Sequence, residues 1–99
     1  MKVHTETVHF KADRKLIDFI EDRLSRMDRY HDRFIDAQVT LKLENSGQVK
    51  DKVAEVKVNV PGEALFAKNT EKSFEAAVDA AINSLRRQLR KYKDRLRNV

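Results

Sequence analysis

Residues 74–97 read FEAAVDAAINSLRRQLRKYKDRLR, and their apolar positions follow a helical period for more than twenty residues. The apolar stripe consists of Phe74, Ala77, Val78, Ala81, Ile82, Leu85, Leu89, Tyr92 and Leu96. Acidic residues near the start and basic residues near the end suit the dipole of such a helix. The sequence therefore predicts a helix from Glu71 to Arg97, with Asn69 or Thr70 as its N-cap.

A second amphipathic stretch lies closer to the N-terminus. Asp13 is a suitable N-cap for a helix that runs to about Tyr30 or beyond. Its buried stripe is predicted to contain Leu16, Ile17, Ile20, Leu24 and Met27. Lys15, Arg26, Arg29 and Arg33 project to one side of this helix. Phe19 and Tyr30 lie near that basic side, where they either stack on nucleobases or complete the edge of the core.

Alternating stretches predict four strands. They cover Val3–Phe10, Val39–Leu43, Ala54–Val60 and Glu63–Lys68. The apolar positions of the first strand change parity, which indicates a bulge or a bend out of the sheet. The second and third strands form a hairpin around Asn45-Ser-Gly47, and Pro61-Gly62 marks the next turn.

The predicted order is β-α-β-β-β-α, an α+β fold in which two helices pack on one face of a four-stranded sheet. A right-handed crossover after the first strand puts the first helix on the same side as the last. With 99 residues, two glycines and one proline, the chain fits one domain spanning residues 1–99. It has no cysteine, no signal peptide and no apolar run of membrane-spanning length, so we expect a soluble, cytoplasmic protein.

The basic excess of the chain lies in one short segment. The net charge is +5, yet residues 1–85 carry 14 Lys/Arg against 15 Asp/Glu. Residues 86–97 carry seven Lys/Arg against a single acid, Asp94. Such a local field attracts phosphate or another anionic surface.

The cations of this segment are arranged by helical spacing. One line beside the apolar stripe contains Arg86, Arg90, Lys93 and Arg97. The far side contains Arg87, Lys91 and Arg95. Arginine outnumbers lysine by five to two, which favours forked contacts with phosphate and stacking on bases. The pattern predicts an RNA-binding surface.

Three other interpretations of this segment stay open. It could be a solvated helix end, a helix that lies on a membrane, or a docking site for an acidic or coiled-coil protein. A solvated face usually mixes charges of both signs, and an alanine-rich apolar face anchors poorly in lipid. RNA is therefore the favoured partner, and we expect neither DNA nor a membrane as a partner.

No constellation typical of catalysis or of a cofactor site stands out. His4, His9 and His31 lack metal-ligand spacing, and no acid lies in an apolar run that would suit a general acid. Gly47 and Gly62 fall in turns rather than in a phosphate-binding loop. We expect no catalytic residues, no metal and no cofactor, and hence no enzyme.

Several motifs together carry a resemblance to a known family. In the last helix, AAVD at residues 76–79 is followed by INSLRRQLRKYKD at residues 82–94. In the first helix, DRL at residues 22–24 is followed by Met27 and Tyr30. With the strand VTLKL at residues 39–43, the chain resembles the ribosome hibernation promoting factors, also called ribosome-associated inhibitors, over nearly its whole length. Their fold is the same β-α-β-β-β-α sandwich, related in shape to double-stranded RNA-binding domains.

The resemblance implies a stress or stationary-phase factor that binds the decoding region of the small ribosomal subunit and blocks mRNA and tRNA. The contacts that it implies with rRNA come from Arg23, Arg26, Arg29, Arg86, Arg87, Arg90, Lys91 and Lys93. The alternative function is a general RNA-binding or RNA-chaperone module without ribosome specificity.

Some features depart from the family pattern. Phe74 stands where the family usually has tyrosine, and Lys72 replaces a common acid. The sequence ends at Val99, so the resemblance is to the short form, without a C-terminal ribosome-dimerisation domain. We expect that form to be monomeric when it is off the ribosome.

Overall fold

The computed structural model describes residues 1–29, 34–46 and 49–97. Its elements are β1 (Lys2–Val8), α1 (Arg14–Asp28), β2 (Asp36–Ser46), β3 (Val49–Val60), β4 (Glu63–Glu71) and α2 (Phe74–Arg97). The strands form one sheet in the order β1-β2-β3-β4. β1 is parallel to β2, and the other neighbouring strands are antiparallel. The predicted α+β fold and its order of elements are confirmed.

Both helices cover the same face of the sheet. α2 packs against β3 and β4, while α1 packs against β1 and the side of α2. The largest fully buried side chains of this core are Ile20, Leu24, Met27, Val39, Leu41, Val56, Val58, Val78 and Leu85. Alternation along each strand supplies one apolar face, and the two helical stripes supply its cover. The opposite face of the sheet carries no helix among the described residues.

The end of β1 explains why its apolar positions change parity. Lys2–Val8 pairs with β2 without interruption, so the strand contains no bulge. His9 follows with φ of 70°, a left-handed conformation that residues other than glycine rarely adopt. The chain leaves the sheet there, and Phe10 turns towards the core to stack on Phe74 with ring centroids 4.4 Å apart. Of the two predicted explanations, the bend is right.

The first helix follows its sequence pattern closely. Asp13 is confirmed as the N-cap, because its Oδ1 accepts a hydrogen bond from the Leu16 N–H at 2.8 Å. The buried residues of α1 are Leu16, Ile20, Leu24 and Met27. Ile17 is half-buried, as is Phe19, which packs against the edge of the core. Tyr30 and His31 lie outside the described residues.

The predicted start of the last helix is wrong. α2 begins at Phe74 rather than at Glu71. Neither Asn69 nor Thr70 caps it, because both lie in β4, whose pairing with β3 continues to Glu71. Ser73 is the N-cap instead, and its Oγ accepts a hydrogen bond from the backbone N–H three residues later at 3.1 Å.

The hairpin strands are longer than predicted. β2 and β3 pair from Asp36–Asn59 to Ser46–Val49, so the first two residues of the predicted Asn45-Ser-Gly47 turn belong to β2. Gly47 lies outside the described residues. The turn at Pro61-Gly62 is confirmed, and the φ of 89° at Gly62 is one that glycine adopts without strain.

Candidate RNA-binding surface

The C-terminal half of α2 presents most of its charge to solvent. We call Arg86–Arg97 the cationic segment; at 1.5 Å per residue it is about 18 Å long. Its exposed cations are Arg86, Arg87, Arg90, Lys91, Arg95 and Arg97. Lys93 is half-buried. All seven predicted cations of α2 therefore lie together on one continuous helix.

The apolar stripe divides the cationic segment into two flanks. The flank that faces the α1 side of the helix carries Arg86, Arg90, Lys93 and Arg97, one above another along the axis. Arg86, Arg90 and Lys93 surround Leu89 in a shallow concavity of about 280 Å³. Cations around an apolar floor suit a phosphate backbone whose sugars or bases also make contact.

Two polar side chains fix the opposite flank to the edge of the sheet. The Gln88 Nε2 donates to the carbonyl of Phe66 at 2.7 Å, and its Oε1 accepts from the Phe66 N–H at 3.3 Å. One turn later, the Tyr92 hydroxyl donates to the carbonyl of Pro61 at 2.8 Å. The cationic segment is therefore held against β4 by hydrogen bonds as well as by its apolar stripe.

Most of the positive charge of the segment is uncompensated. Arg95 forms an ion pair with Glu63 at the start of β4. Across residues 1–29, 34–46 and 49–97, no carboxylate forms an ion pair with Arg87, Arg90, Lys91 or Arg97. These four side chains keep their full charge available for an anionic partner.

The first helix is different, because its central arginine is occupied. The Arg23 Nε lies 3.0 Å from Oδ1 of Asp79 on α2, and its Nη1 lies 3.0 Å from Oδ2 of Asp22. Its guanidinium carbon also sits 4.3 Å from the centroid of the Phe19 ring. Arg23 thus joins α1 to α2, a role that its sequence context did not indicate.

The other two predicted arginines of α1 differ from each other. Arg26 forms an ion pair with Asp22 at 3.1 Å. Arg29 follows the end of α1 and is exposed, and within the described part of the chain it has no ion-pair partner. α1 therefore offers less uncompensated charge than the cationic segment does.

Asp79 forms a contact between the two helices that the sequence alone does not indicate. By position it is one of the early acids that suit the dipole of the last helix. It precedes Arg86 by seven residues, so the two side chains share one face of α2. The sign of the charge along that face changes between them, and Arg23 neutralises the acidic side. The seven-residue spacing in the sequence indicates that Asp79 and Arg86 share a face. The ion pair between Asp79 and Arg23 of α1 can be seen only in the folded structure.

Similarity to known proteins covers almost the whole chain. The family model described as Sigma 54 modulation protein / S30EA ribosomal protein matches residues 3–97. A ribosome hibernation promotion factor of Deinococcus radiodurans is 41% identical over 80 residues, which are 79% of this chain and 41% of that protein. A ribosome hibernation promoting factor of Pseudomonas putida is 28% identical over 99 residues, which cover 100% of this chain and 93% of the relative. The factor of Escherichia coli K12 is 30% identical over 82 residues, 83% of this chain and 82% of the relative.

Two solved structures share the fold. A ribosomal subunit interface protein from Coxiella burnetii aligns with a TM-score of 0.85 at 20% identity, over 95% of this chain and 99% of that one. The N-terminal domain of Thermus thermophilus Protein Y aligns with a TM-score of 0.81 at 27% identity, over 93% of this chain and 99% of that one. The chain spans less than half of the Deinococcus relative but most of the other proteins compared. Because the family model matches residues 3–97, the predicted relationship is confirmed, and the chain belongs to the Sigma 54 modulation protein / S30EA ribosomal protein family.

Proposed function

We propose that this protein is a ribosome hibernation factor, which binds the decoding region of the small ribosomal subunit and blocks mRNA and tRNA during stress or stationary phase. The observation that carries the proposal is the cationic segment, four of whose cations have no ion-pair partner among the described residues. The relatives in Pseudomonas putida and Escherichia coli, both named ribosome hibernation promoting factors, support the ribosome as the partner.

The proposed mechanism is occupancy and needs no chemical step. Cations on a rigid helix neutralise phosphates of rRNA and release counterions. The release raises the entropy and favours binding, and this gain becomes smaller as the salt concentration rises. Because β4 already holds the segment, little conformational freedom is lost on binding. The bound domain then fills space that mRNA and tRNA would use.

We assign the rRNA contacts to cations of both helices whose side chains are at least partly exposed. The proposed contact residues are Arg26, Arg29, Arg86, Arg87, Arg90, Lys91, Lys93 and Arg97. Arg23, which the resemblance implies as a contact, is assigned a positioning role instead, because Asp79 and Asp22 already bind its guanidinium. We further propose that residues 1–99 act as one cytoplasmic, monomeric ribosome-binding domain.

Co-sedimentation with purified small subunits tests this function. The variant with Arg87, Arg90 and Lys91 replaced by alanine should bind weakly, and its plot of log affinity against log salt should be shallower by about 2 to 3. The matched control replaces the exposed Lys2, Lys11 and Lys72, which removes the same charge away from the cationic segment. That control should bind nearly as well as the unmodified protein.

Each alternative function has its own outcome in the same assay. A protein that stays at the top of the gradient at low salt is not a ribosome-binding factor. Equal affinity for arbitrary duplex RNA and for small subunits would favour the general RNA-binding module. An affinity that does not change with salt concentration would favour an acidic or coiled-coil protein partner. Neither helix in the described ranges is long and apolar enough to cross a bilayer.

A further inference from the structure

An aromatic side chain stands on the face of the sheet opposite the helices. Leu65 and Ala67 point into the core and are 4% and 6% exposed, so the alternation of β4 turns Phe66 outward. Phe66 is 51% exposed. About half of the surface of the Phe66 side chain is therefore in water, so its ring is available for stacking.

Polar side chains form a groove beside this ring. In register across the sheet, Phe66 lies opposite Lys57, and Lys57 lies opposite Gln38. With Thr40 and Glu55 from the next row, they line a groove of about 190 Å³. The Phe66 ring can stack on a planar heterocycle. The Gln38 amide and the Thr40 hydroxyl can each donate and accept hydrogen bonds at its edge.

The charge of the groove favours a phosphorylated ligand. The carboxylate of Glu55 is neutralised by Lys42 at 3.0 Å and lies 3.9 Å from Lys68. Lys57 is exposed, and it forms no ion pair within the residues that the structure covers. The acid of the groove is therefore compensated, while one lysine beside the ring is not.

The groove is also connected to the cationic segment around the edge of β4. Gln88 binds both backbone groups of Phe66, so the part of β4 that carries the ring is fixed to α2. Arg87 and Lys91, on either side of Gln88 in sequence, are exposed. A strand of RNA on this flank of α2 meets the β4 edge next and then the groove.

We propose that the groove beside Phe66 binds one unpaired nucleotide of RNA, in a segment that crosses the β4 edge from the cationic segment. The base stacks on Phe66, and Gln38 and Thr40 meet its edge by hydrogen bonds. Lys57 contacts the adjoining phosphate. The inference rests on the proposed function for its RNA partner and adds the class of RNA recognised, single-stranded rather than fully paired.

The test compares two RNA probes in solution. One is a short single-stranded oligonucleotide that carries 2-aminopurine, and the other is a blunt duplex of the same sequence. Phe66→Ala should weaken single-strand binding by about 5- to 150-fold, because stacking on an aromatic residue contributes that much per base. Duplex binding should be unchanged. Phe66→Tyr should keep both the affinity and the quenching of 2-aminopurine, and Ile35→Ala, which trims another exposed apolar side chain (57% exposed), should have no effect.

The outcomes separate this inference from the proposed function. Two results would overturn the groove as a nucleotide site. In the first, Phe66→Ala leaves the affinity for the single strand unchanged; in the second, it lowers the affinities for the single strand and the duplex equally. If the unmodified protein still co-sediments with small subunits in that case, the proposed function stands. If it binds neither RNA nor ribosomes, both are wrong.

Discussion

Replacing Arg23 by glutamine should loosen the contact between the two helices without removing a contact to RNA. The substitution removes the ion pairs with Asp79 and Asp22 and the cation over Phe19. We expect a lower free energy of unfolding and a lower affinity for small subunits. The dependence of affinity on salt should stay the same, because no phosphate contact is lost.

The expected magnitude follows from the exposure of the partners. The side chains of Arg23 and Asp79 are 29% and 47% exposed, so solvent screens the pair to about 0.5–1 kcal/mol, the upper part of the range for surface pairs. The half-exposed cation–π contact adds about 0.5–1 kcal/mol. A loss of about 1–2 kcal/mol in all corresponds to roughly 4–16 °C in melting temperature for a domain of this size.

The assay is a double-mutant cycle followed by urea unfolding. Arg23→Gln, Asp79→Asn and the double variant are compared at low and high salt, and the coupling energy should be about 0.5–1 kcal/mol and fall as salt rises. Small-subunit binding is then titrated with salt for the same proteins. The loss of charge in Asp79→Asn should not lower the affinity for small subunits, because the substitution removes a negative charge from the face of α2 that carries Arg86.

Two results would refute this reasoning. Additive effects on stability, within about 0.3 kcal/mol, would mean that the two residues do not act as a pair. A salt plot that becomes shallower by about 0.7–0.9 in Arg23→Gln would mean that Arg23 itself neutralises a phosphate. In that case Arg23 would be a contact residue after all.

Two further substitutions test how α2 is held. Ser73→Ala should lower the free energy of unfolding by about 0.5–2 kcal/mol, since it removes the N-cap, whereas Ser73→Asn, which keeps a capping oxygen, should lower it little. Equal losses for the two variants in urea unfolding would contradict Ser73 as the cap. Gln88→Ala should lower the free energy of unfolding by about 1–2 kcal/mol, because it removes two hydrogen bonds to the Phe66 backbone, and it should speed amide exchange at Phe66. Unchanged protection of that amide would argue against the link to β4.

The fold was predictable because its apolar periods are long and agree with one another. The apolar stripe of α2 and the alternating residues of β2 and β3 each indicate an element with one buried face. A sheet covered by two helices buries all of these faces. The boundaries were not predictable in the same way. Asn69 and Thr70 are good caps by residue type, but pairing between β3 and β4 outweighs that local preference. The two strands of the hairpin also extend through polar residues, where alternation gives no signal.

The candidate site was predictable in part. Charge counting alone locates the cationic segment, because its cations follow one another along a single helix. The partner of Arg23 lies 56 residues away, so its occupation could not be inferred from spacing on α1. Phe66 was not singled out, because a short strand with one aromatic residue is typical of any sheet. Its exposure depends on which face α2 covers, which is a property of the assembled fold.

The link between Gln88 and β4 has a consequence for self-association. An open strand at the edge of a sheet is a template to which another chain can add, and proteins that lack a cover there tend to aggregate. At Phe66 both backbone groups already have an intramolecular partner in Gln88, and the Pro61 carbonyl has one in Tyr92. The same side chains that orient the helix therefore also occupy, at Phe66, backbone groups with which another chain would otherwise pair.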